Sequence, residues 1–137
     1  MTLPTRAEID LYGSLDEAVA CEHFLGKTLD EAVAMFEENS LAYQEDLMWM
    51  GPRAFAFYVP AVTRYLATEA ARGDSDLVSC MLGNIRFRRD EVEFALARDE
   101  VRRLIEVIVS NWLKFEVDES IYGDLLTAYR DLARELA

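Results

Sequence analysis

Residues Tyr43–Pro60 read YQEDLMWMGPRAFAFYVP, and this segment indicates the fold more clearly than any other. Gly51-Pro52 predicts the start of a helix, because a proline in the first helical turn loses no hydrogen bond. Apolar residues then recur on one helical face, at Phe55, Tyr58, Val62 and Tyr65. Phe57 and Ala61 fall on the other side, which is typical of a helix at the centre of a core. Pro60 predicts a kink or a break, because it removes a backbone hydrogen bond and clashes with the preceding turn.

Two similar heptapeptides upstream mark two more helix starts, SLDEAVA from Ser14 and TLDEAVA from Thr28. Each begins with a hydroxyl residue that can serve as an N-cap, and a glutamate follows three residues later. This arrangement is a capping box, in which cap and glutamate satisfy each other's backbone N–H groups. We therefore predict helices near 14–24 and 28–38, and Gly26 is expected to follow the end of the first.

Three apolar stripes at helical spacing predict further helices in the second half of the chain. They consist of Leu77, Val78, Met81, Leu82 and Ile85, then Val101, Leu104, Ile105, Ile108, Trp112 and Phe115, then Ile121, Leu125, Tyr129, Leu132 and Leu136. Asp74 or Ser75 is predicted to cap the first. No segment alternates with period two for long enough to predict a strand. The prediction is an all-α fold, with residues 1–137 in a single compact bundle-like domain of six or seven helices.

The chain is strongly acidic, with a net charge of −12 over 137 residues. Residues 1–50 contain eleven carboxylates against only Arg6 and Lys27, a net charge of −9. This surface repels phosphate backbones, so no nucleic-acid binding is predicted, and it attracts a basic protein partner. Acidity that serves only solubility is the more favoured interpretation of this charge, and attraction of a basic partner is the other. The cluster IRFRRDEVE, with Arg88 among its arginines, is interpreted as locally neutralised by the acidic residues that follow.

Several features predict a cytoplasmic protein that does not enter a membrane. No apolar run approaches the roughly 20 residues of a bilayer-spanning helix. The first residues, MTLPTRAEID, carry carboxylates where a secretory signal has an apolar stretch. Cys21 and Cys80 are the only cysteines, and two cysteines in such a chain are expected to be reduced.

Neither a catalytic set nor a metal or cofactor site is predicted from the sequence. His23 is the only histidine, and Cys21 is two residues away, so the two side chains point to different faces of a helix. A dimetal site in a bundle uses a Glu-x-x-His pair on each of two helices, which one histidine cannot supply. We expect His23 to pack or to interact with the carbonyl end of its helix. An enzyme is therefore the less favoured class.

The candidate binding residues surround the apolar run Leu47–Met50, which is predicted to be largely buried. They are Glu45, Asp46, Trp49, Arg53 and Tyr58. Three interpretations remain open: a core with a structural bridge from Arg53 to a carboxylate, a surface for a partner, or a small-molecule pocket. In the third, Trp49, Phe57 and Tyr58 form the apolar walls.

The segment Lys27–Leu66 resembles a family of small all-helical bacterial proteins of unknown function. The shared pattern is an acidic pair before a Trp-Met-Gly-Pro turn, followed by an aromatic helix and a Pro-Ala step. Its positions here are Glu45, Asp46, Trp49, Met50, Gly51, Pro52, Phe55, Tyr58, Pro60 and Ala61. The resemblance implies a bacterial protein and no particular activity.

Three hypotheses for function follow. The first is a non-enzymatic binding protein that presents its acidic N-terminal region to a basic partner, as immunity or antitoxin proteins do. The second is a small enzyme or ligand-binding domain with a pocket near Glu45, Asp46, Trp49 and Arg53. The third is a self-associating module in which the last two helices form a symmetric homodimer.

Overall fold

The computed structural model describes residues 2–137, in which the chain is helical and contains no strand. The eight α-helices are α1 (Arg6–Ile9), α2 (Leu15–Phe24), α3 (Leu29–Trp49), α4 (Pro52–Leu66), α5 (Ser75–Arg88), α6 (Arg98–Ser110), α7 (Glu119–Tyr122) and α8 (Leu125–Leu136). Short 3₁₀ turns occupy Glu69–Ala71, Val92–Leu96 and Trp112–Phe115. The all-α prediction is confirmed. Six helices have ten or more residues, and α1 and α7 are single turns of four.

The helix starts follow the capping signals of the sequence. Ser14 and Thr28 form complete capping boxes with Glu17 and Glu31, as predicted. Asp74 caps α5 by accepting a hydrogen bond from the backbone N–H of Leu77. These local interactions satisfy N–H groups that would otherwise have no partner in the first helical turn.

Helix α4 lies at the centre of the molecule and packs against α3 and α6. Both of its predicted apolar faces are buried, including Phe55, Tyr58 and Ala61. The helix is continuous from Pro52 to Leu66, so Pro60 does not break it. Pro60 has no backbone N–H, so one hydrogen bond of the helix is missing. The side chains buried before and after Pro60 keep the helix continuous at this position.

Helix α3 is interrupted at Asn39, where the backbone angles are non-helical, with φ at −159° and ψ at 78°. The predicted helix 28–38 therefore ends at a kink, after which α3 continues to Trp49. The Asn39 side chain accepts a hydrogen bond from the N–H of Ala42 at 3.2 Å and so caps the second half. Ser40 donates to Asp74 at 2.6 Å, which ties the kink to the start of α5.

The buried apolar side chains form one continuous cluster. The second half of α3 runs in the same direction as α5, because Ser40 contacts Asp74 at one end and Leu47 contacts Arg88 at the other. Ile121, which the sequence placed in the last apolar stripe, is exposed because it belongs to the separate helix α7. In the described residues, no helix combines the length and apolarity that a membrane span requires.

Candidate functional site

A groove of about 600 Å³ opens beside Trp49, where the loop between α1 and α2 faces the end of α3 and the segment after α5. Its apolar lining includes Leu11, Met48, Trp49, Pro52, Phe87 and Val92. Tyr12 and the charged residues Glu17, Arg88, Glu91 and Glu93 complete the walls. We call this feature the Trp49 groove.

The apolar side chains of the Trp49 groove are unusually accessible. The exposed fractions are 36% for Trp49, 56% for Phe87, 88% for Tyr12 and 98% for Val92. The rings of Trp49 and Phe87 are in contact, with centroids 5.9 Å apart in an edge-to-face arrangement. Single exposed apolar residues are common on proteins, whereas a cluster that lines a concave surface indicates a binding site.

The exposure of Trp49 corrects the prediction for Leu47–Met50. Leu47 and Met50 are buried, but Met48 is only half-buried and Trp49 faces the groove. Four consecutive residues span more than a full helical turn at 3.6 residues per turn. They therefore point in all directions, and one of them turns away from the core.

Arg88 forms the floor of the groove and is 3% exposed. Its Nη1 group donates to the carbonyl oxygens of Leu47 at 2.9 Å, Met48 at 3.0 Å and Met50 at 2.6 Å. The guanidinium also lies over the ring of Phe55, 4.5 Å from the centroid. Arg88 thus satisfies carbonyls at the end of α3 that have no partner within that helix. The predicted local neutralisation is confirmed for Arg88, whose Nε contacts Glu91 at 3.1 Å, but the sequence did not predict its contacts with the end of α3.

Glu17 holds the loop that forms the opposite wall. Its carboxylate accepts hydrogen bonds from the backbone N–H groups of Leu11 at 2.9 Å, Tyr12 at 3.0 Å and Ser14 at 3.1 Å. The Ser14 hydroxyl donates a further bond at 2.6 Å. Burial alone would raise the pKa of Glu17, but these hydrogen bonds outweigh it, and the pKa is lowered. The carboxylate therefore fixes the position of Tyr12 at the groove edge.

Of the remaining predicted site residues, Glu45 and Arg53 are exposed and lie outside the groove lining. Arg53 Nε contacts the Glu8 carboxylate at 2.8 Å, so the bridge interpretation of Arg53 has a partner in α1. Exposed pairs of this kind contribute little to stability, because solvent screens the two charges.

Asp46 is buried and interacts with His23, which comes from α2. Nδ1 of His23 lies 2.6 Å from Oδ2 of Asp46 and donates to it. Burial raises the pKa of the Asp46 carboxyl, and the hydrogen bond from His23 opposes that change. His23 also contacts the ring of Tyr43 edge to face. The sequence did not predict the pairing, because 23 residues separate the two side chains.

Tyr58 is fully buried, and its hydroxyl lies 2.8 Å from the carbonyl oxygens of both Phe24 and Lys27. Burial, with the charge of Glu31, raises its pKa to about 12. Phe57 lines a different groove, together with Pro60. The predicted pocket with Trp49, Phe57 and Tyr58 as walls is therefore wrong: the turns of α4 that separate Phe57 and Tyr58 from Pro52 carry them away from Trp49.

Cys21 and Cys80 are both free thiols. Burial, followed by the charges of Asp76, Asp74 and Glu45, raises the pKa of Cys80 and disfavours its thiolate. Within residues 2–137, no three histidine, cysteine, aspartate or glutamate side chains are grouped as a metal site requires.

Sequence reasoning missed Tyr12, Phe87, Arg88 and Val92 as groove residues. Aromatic or apolar residues at three of these positions interrupt polar surroundings, Phe87 and Val92 at the two ends of FRRDEV and Tyr12 within DLYGS. Those interruptions were the available signal, but nothing local shows that the two segments meet at Trp49. Comparison of the chain with protein-family models, curated proteins and solved structures finds no match in any of the three.

Proposed function

We propose that the protein is a non-enzymatic binding module whose Trp49 groove receives a basic segment of a partner protein. The observation that carries the proposal is the cluster of exposed Trp49, Phe87 and Tyr12 within a groove bordered by carboxylates. Tryptophan and tyrosine in concave surfaces are the residues that most often dominate the energy of a protein interface.

The charge distribution favours a basic partner. Three carboxylates, those of Glu17, Glu91 and Glu93, line the groove against the single guanidinium of Arg88. The chain as a whole carries a net charge of −12. A field of this sign accelerates encounter with a cationic partner and discriminates against anionic ones, and salt weakens both effects.

The groove is also held in shape before any partner arrives. Arg88 fixes the end of α3, and Glu17 fixes the loop that carries Tyr12. A preformed surface loses little conformational entropy on binding, so more of the contact energy remains as affinity. In this proposal the protein acts in a bacterial cytoplasm, as immunity or antitoxin proteins do, and its two free thiols fit a reducing compartment.

Selection from a phage-displayed library of random peptides tests the proposal. Wild type is compared with Trp49→Ala and with Leu113→Ala, which removes an exposed apolar side chain outside the groove lining. We expect wild type and Leu113→Ala to enrich the same peptides, rich in arginine and lysine beside apolar residues, and Trp49→Ala to lose them. Circular dichroism verifies that each variant is folded.

Two results would contradict the proposal. The first is that wild type enriches no peptide beyond the Trp49→Ala background. The second is a homodimer, detected by light scattering, whose formation protects the backbone amides of Phe87 and Val92 from hydrogen exchange. The groove would then be a self-association surface. Enriched peptides should also bind more weakly as salt is raised.

A further inference from the structure

We infer that the Trp49 groove recognises an arginine or lysine side chain of the partner, with its cation held against the Trp49 ring. This inference rests on the proposed function and names the chemistry of the anchor residue. It depends on three features: open aromatic surface, a carboxylate free to bind a cation, and a buried arginine whose own donors are occupied.

The aromatic surface is suited to a cation. Trp49 and Phe87 contact each other edge to face, and both rings remain accessible to solvent. Tyr12 adds a third ring on the facing wall. The face of an aromatic ring carries partial negative charge, and tryptophan binds cations more strongly than phenylalanine or tyrosine. A planar guanidinium can also stack on such a ring, which favours arginine over lysine.

Among the carboxylates that line the groove, Glu93 is the one available to neutralise the incoming cation. The oxygens of Glu17 already accept four hydrogen bonds from the loop and Ser14. Glu91 contacts Nε of Arg88 at 3.1 Å. Glu93 lines the groove and forms no ion pair within the part of the chain that the structure describes. An arginine on the partner would supply the missing positive charge.

Arg88 does not substitute for that cation. Its Nη1 donors face the carbonyls at the end of α3, and only 4% of its side chain is exposed. A neutral apolar anchor would remove water from Glu93 without offering a hydrogen bond or a charge in return, which costs free energy. An anionic anchor would be repelled by the carboxylates that line the groove. Only a cationic anchor interacts favourably both with the faces of the aromatic rings and with the carboxylate of Glu93.

Matched peptides that differ only in the anchor test the inference. The probes are Ac-Gly-Leu-Xaa-Leu-Gly-NH₂, in which Xaa is arginine, its neutral isostere citrulline, or norleucine. Binding is followed by NMR through the indole N–H of Trp49 and the backbone amides of Phe87 and Val92. At low salt we expect the arginine peptide to bind about tenfold more tightly than the citrulline peptide, about 1.4 kcal/mol.

Two variants separate the contributions of ring and charge. Trp49→Leu keeps an apolar side chain and is expected to reduce the preference for arginine over citrulline to the part that Glu93 provides. Glu93→Gln is expected to weaken the arginine peptide several-fold and not to weaken the norleucine peptide, because removing the charge lowers the cost of desolvation at residue 93. Glu106→Gln removes the same charge from the separate groove between α6 and α8 and is expected to change neither. Glu93 is exposed, so its variant stays informative even if Trp49→Leu perturbs folding.

The outcomes distinguish this inference from the proposed function. Equal or tighter binding of the norleucine peptide overturns the cationic anchor and leaves the groove as an apolar binding site. Equal weakening by Glu93→Gln and Glu106→Gln also overturns it, because the effect would then reflect only net charge. If none of the three peptides binds but library peptides still bind in a Trp49-dependent way, the cationic anchor is rejected and the proposed function stands. Failure of both experiments overturns both proposals.

Discussion

Replacing Arg88 with methionine is expected to lower the free energy of unfolding by about 3–5 kcal/mol. Methionine occupies a similar apolar volume, so the change removes the guanidinium without opening a large cavity. The two hydrogens of Nη1 are shared by the carbonyls of Leu47, Met48 and Met50. Without these hydrogens, the carbonyl oxygens are still shielded from water but no longer accept a hydrogen bond, which destabilises the folded state.

The magnitude follows from opposing contributions. Hydrogen bonds from a charged donor contribute about 1.5–3 kcal/mol each, and the cation over Phe55 adds about 1 kcal/mol. The sum overstates the effect, because removing Arg88 also ends the cost of burying its charge. The net loss is a large fraction of the total stability of about 5–15 kcal/mol expected for such a domain.

Urea denaturation followed by circular dichroism measures this change. With a slope of about 2 kcal/mol per molar urea, a loss of about 4 kcal/mol moves the midpoint by about 2 M. Arg89→Met is the matched control, since Arg89 adjoins Arg88 but pairs with Glu135 at the surface. Its loss should stay below about 1 kcal/mol. If Arg88→Met is no less stable than Arg89→Met, the reasoning about the α3 carbonyls is refuted.

Three further predictions concern positions that support the groove or the core. In Gly51→Ala, the added Cβ would lie 2.2 Å from the carbonyl oxygen of Glu8, so we expect a loss of about 2 kcal/mol or more. In Tyr58→Phe, the hydroxyl that bonds the carbonyls of Phe24 and Lys27 is absent, and a loss of about 1–2 kcal/mol is expected. In Glu17→Gln, the loss at neutral pH is expected to be about 1–2 kcal/mol. The folded pKa of Glu17 is lowered, so its contribution is present above the unfolded pKa and disappears as pH falls through the folded pKa.

Denaturation curves provide the measurement for each of these variants. Gly83→Ala is the control for Gly51, because Gly83 lies within α5 and nothing is within 4 Å of its added Cβ. It should be as stable as wild type or up to about 1 kcal/mol more stable. Equal stability of the two alanine variants would contradict the close approach of Gly51 to α1. An unchanged midpoint for Tyr58→Phe, or a Glu17→Gln difference that persists in acid, would contradict the other two.

Part of the candidate site could be predicted from the sequence. The sequence identifies Trp49 as a candidate binding residue, and Trp49 lines the groove. Tyr58 is a candidate by the same reasoning but belongs to the core, because helical spacing identifies an apolar face without showing which neighbour covers it. Asn39 carried no signal of a kink, since asparagine also occurs within regular helices and its backbone depends on the contacts that Ser40 makes with α5.

The sequence by itself determined the all-helical fold, the capped starts of α2, α3 and α5, and the central position of α4. These features depend on interactions within about four residues, such as the capping boxes at Ser14 and Thr28, or on the periodicity of apolar side chains. The tertiary structure alone decided the Trp49 groove. Arg88 reaches the carbonyl of Leu47, 41 residues away in the chain. Neighbouring residues cannot specify a contact over that distance, because it exists only once several helices have packed together.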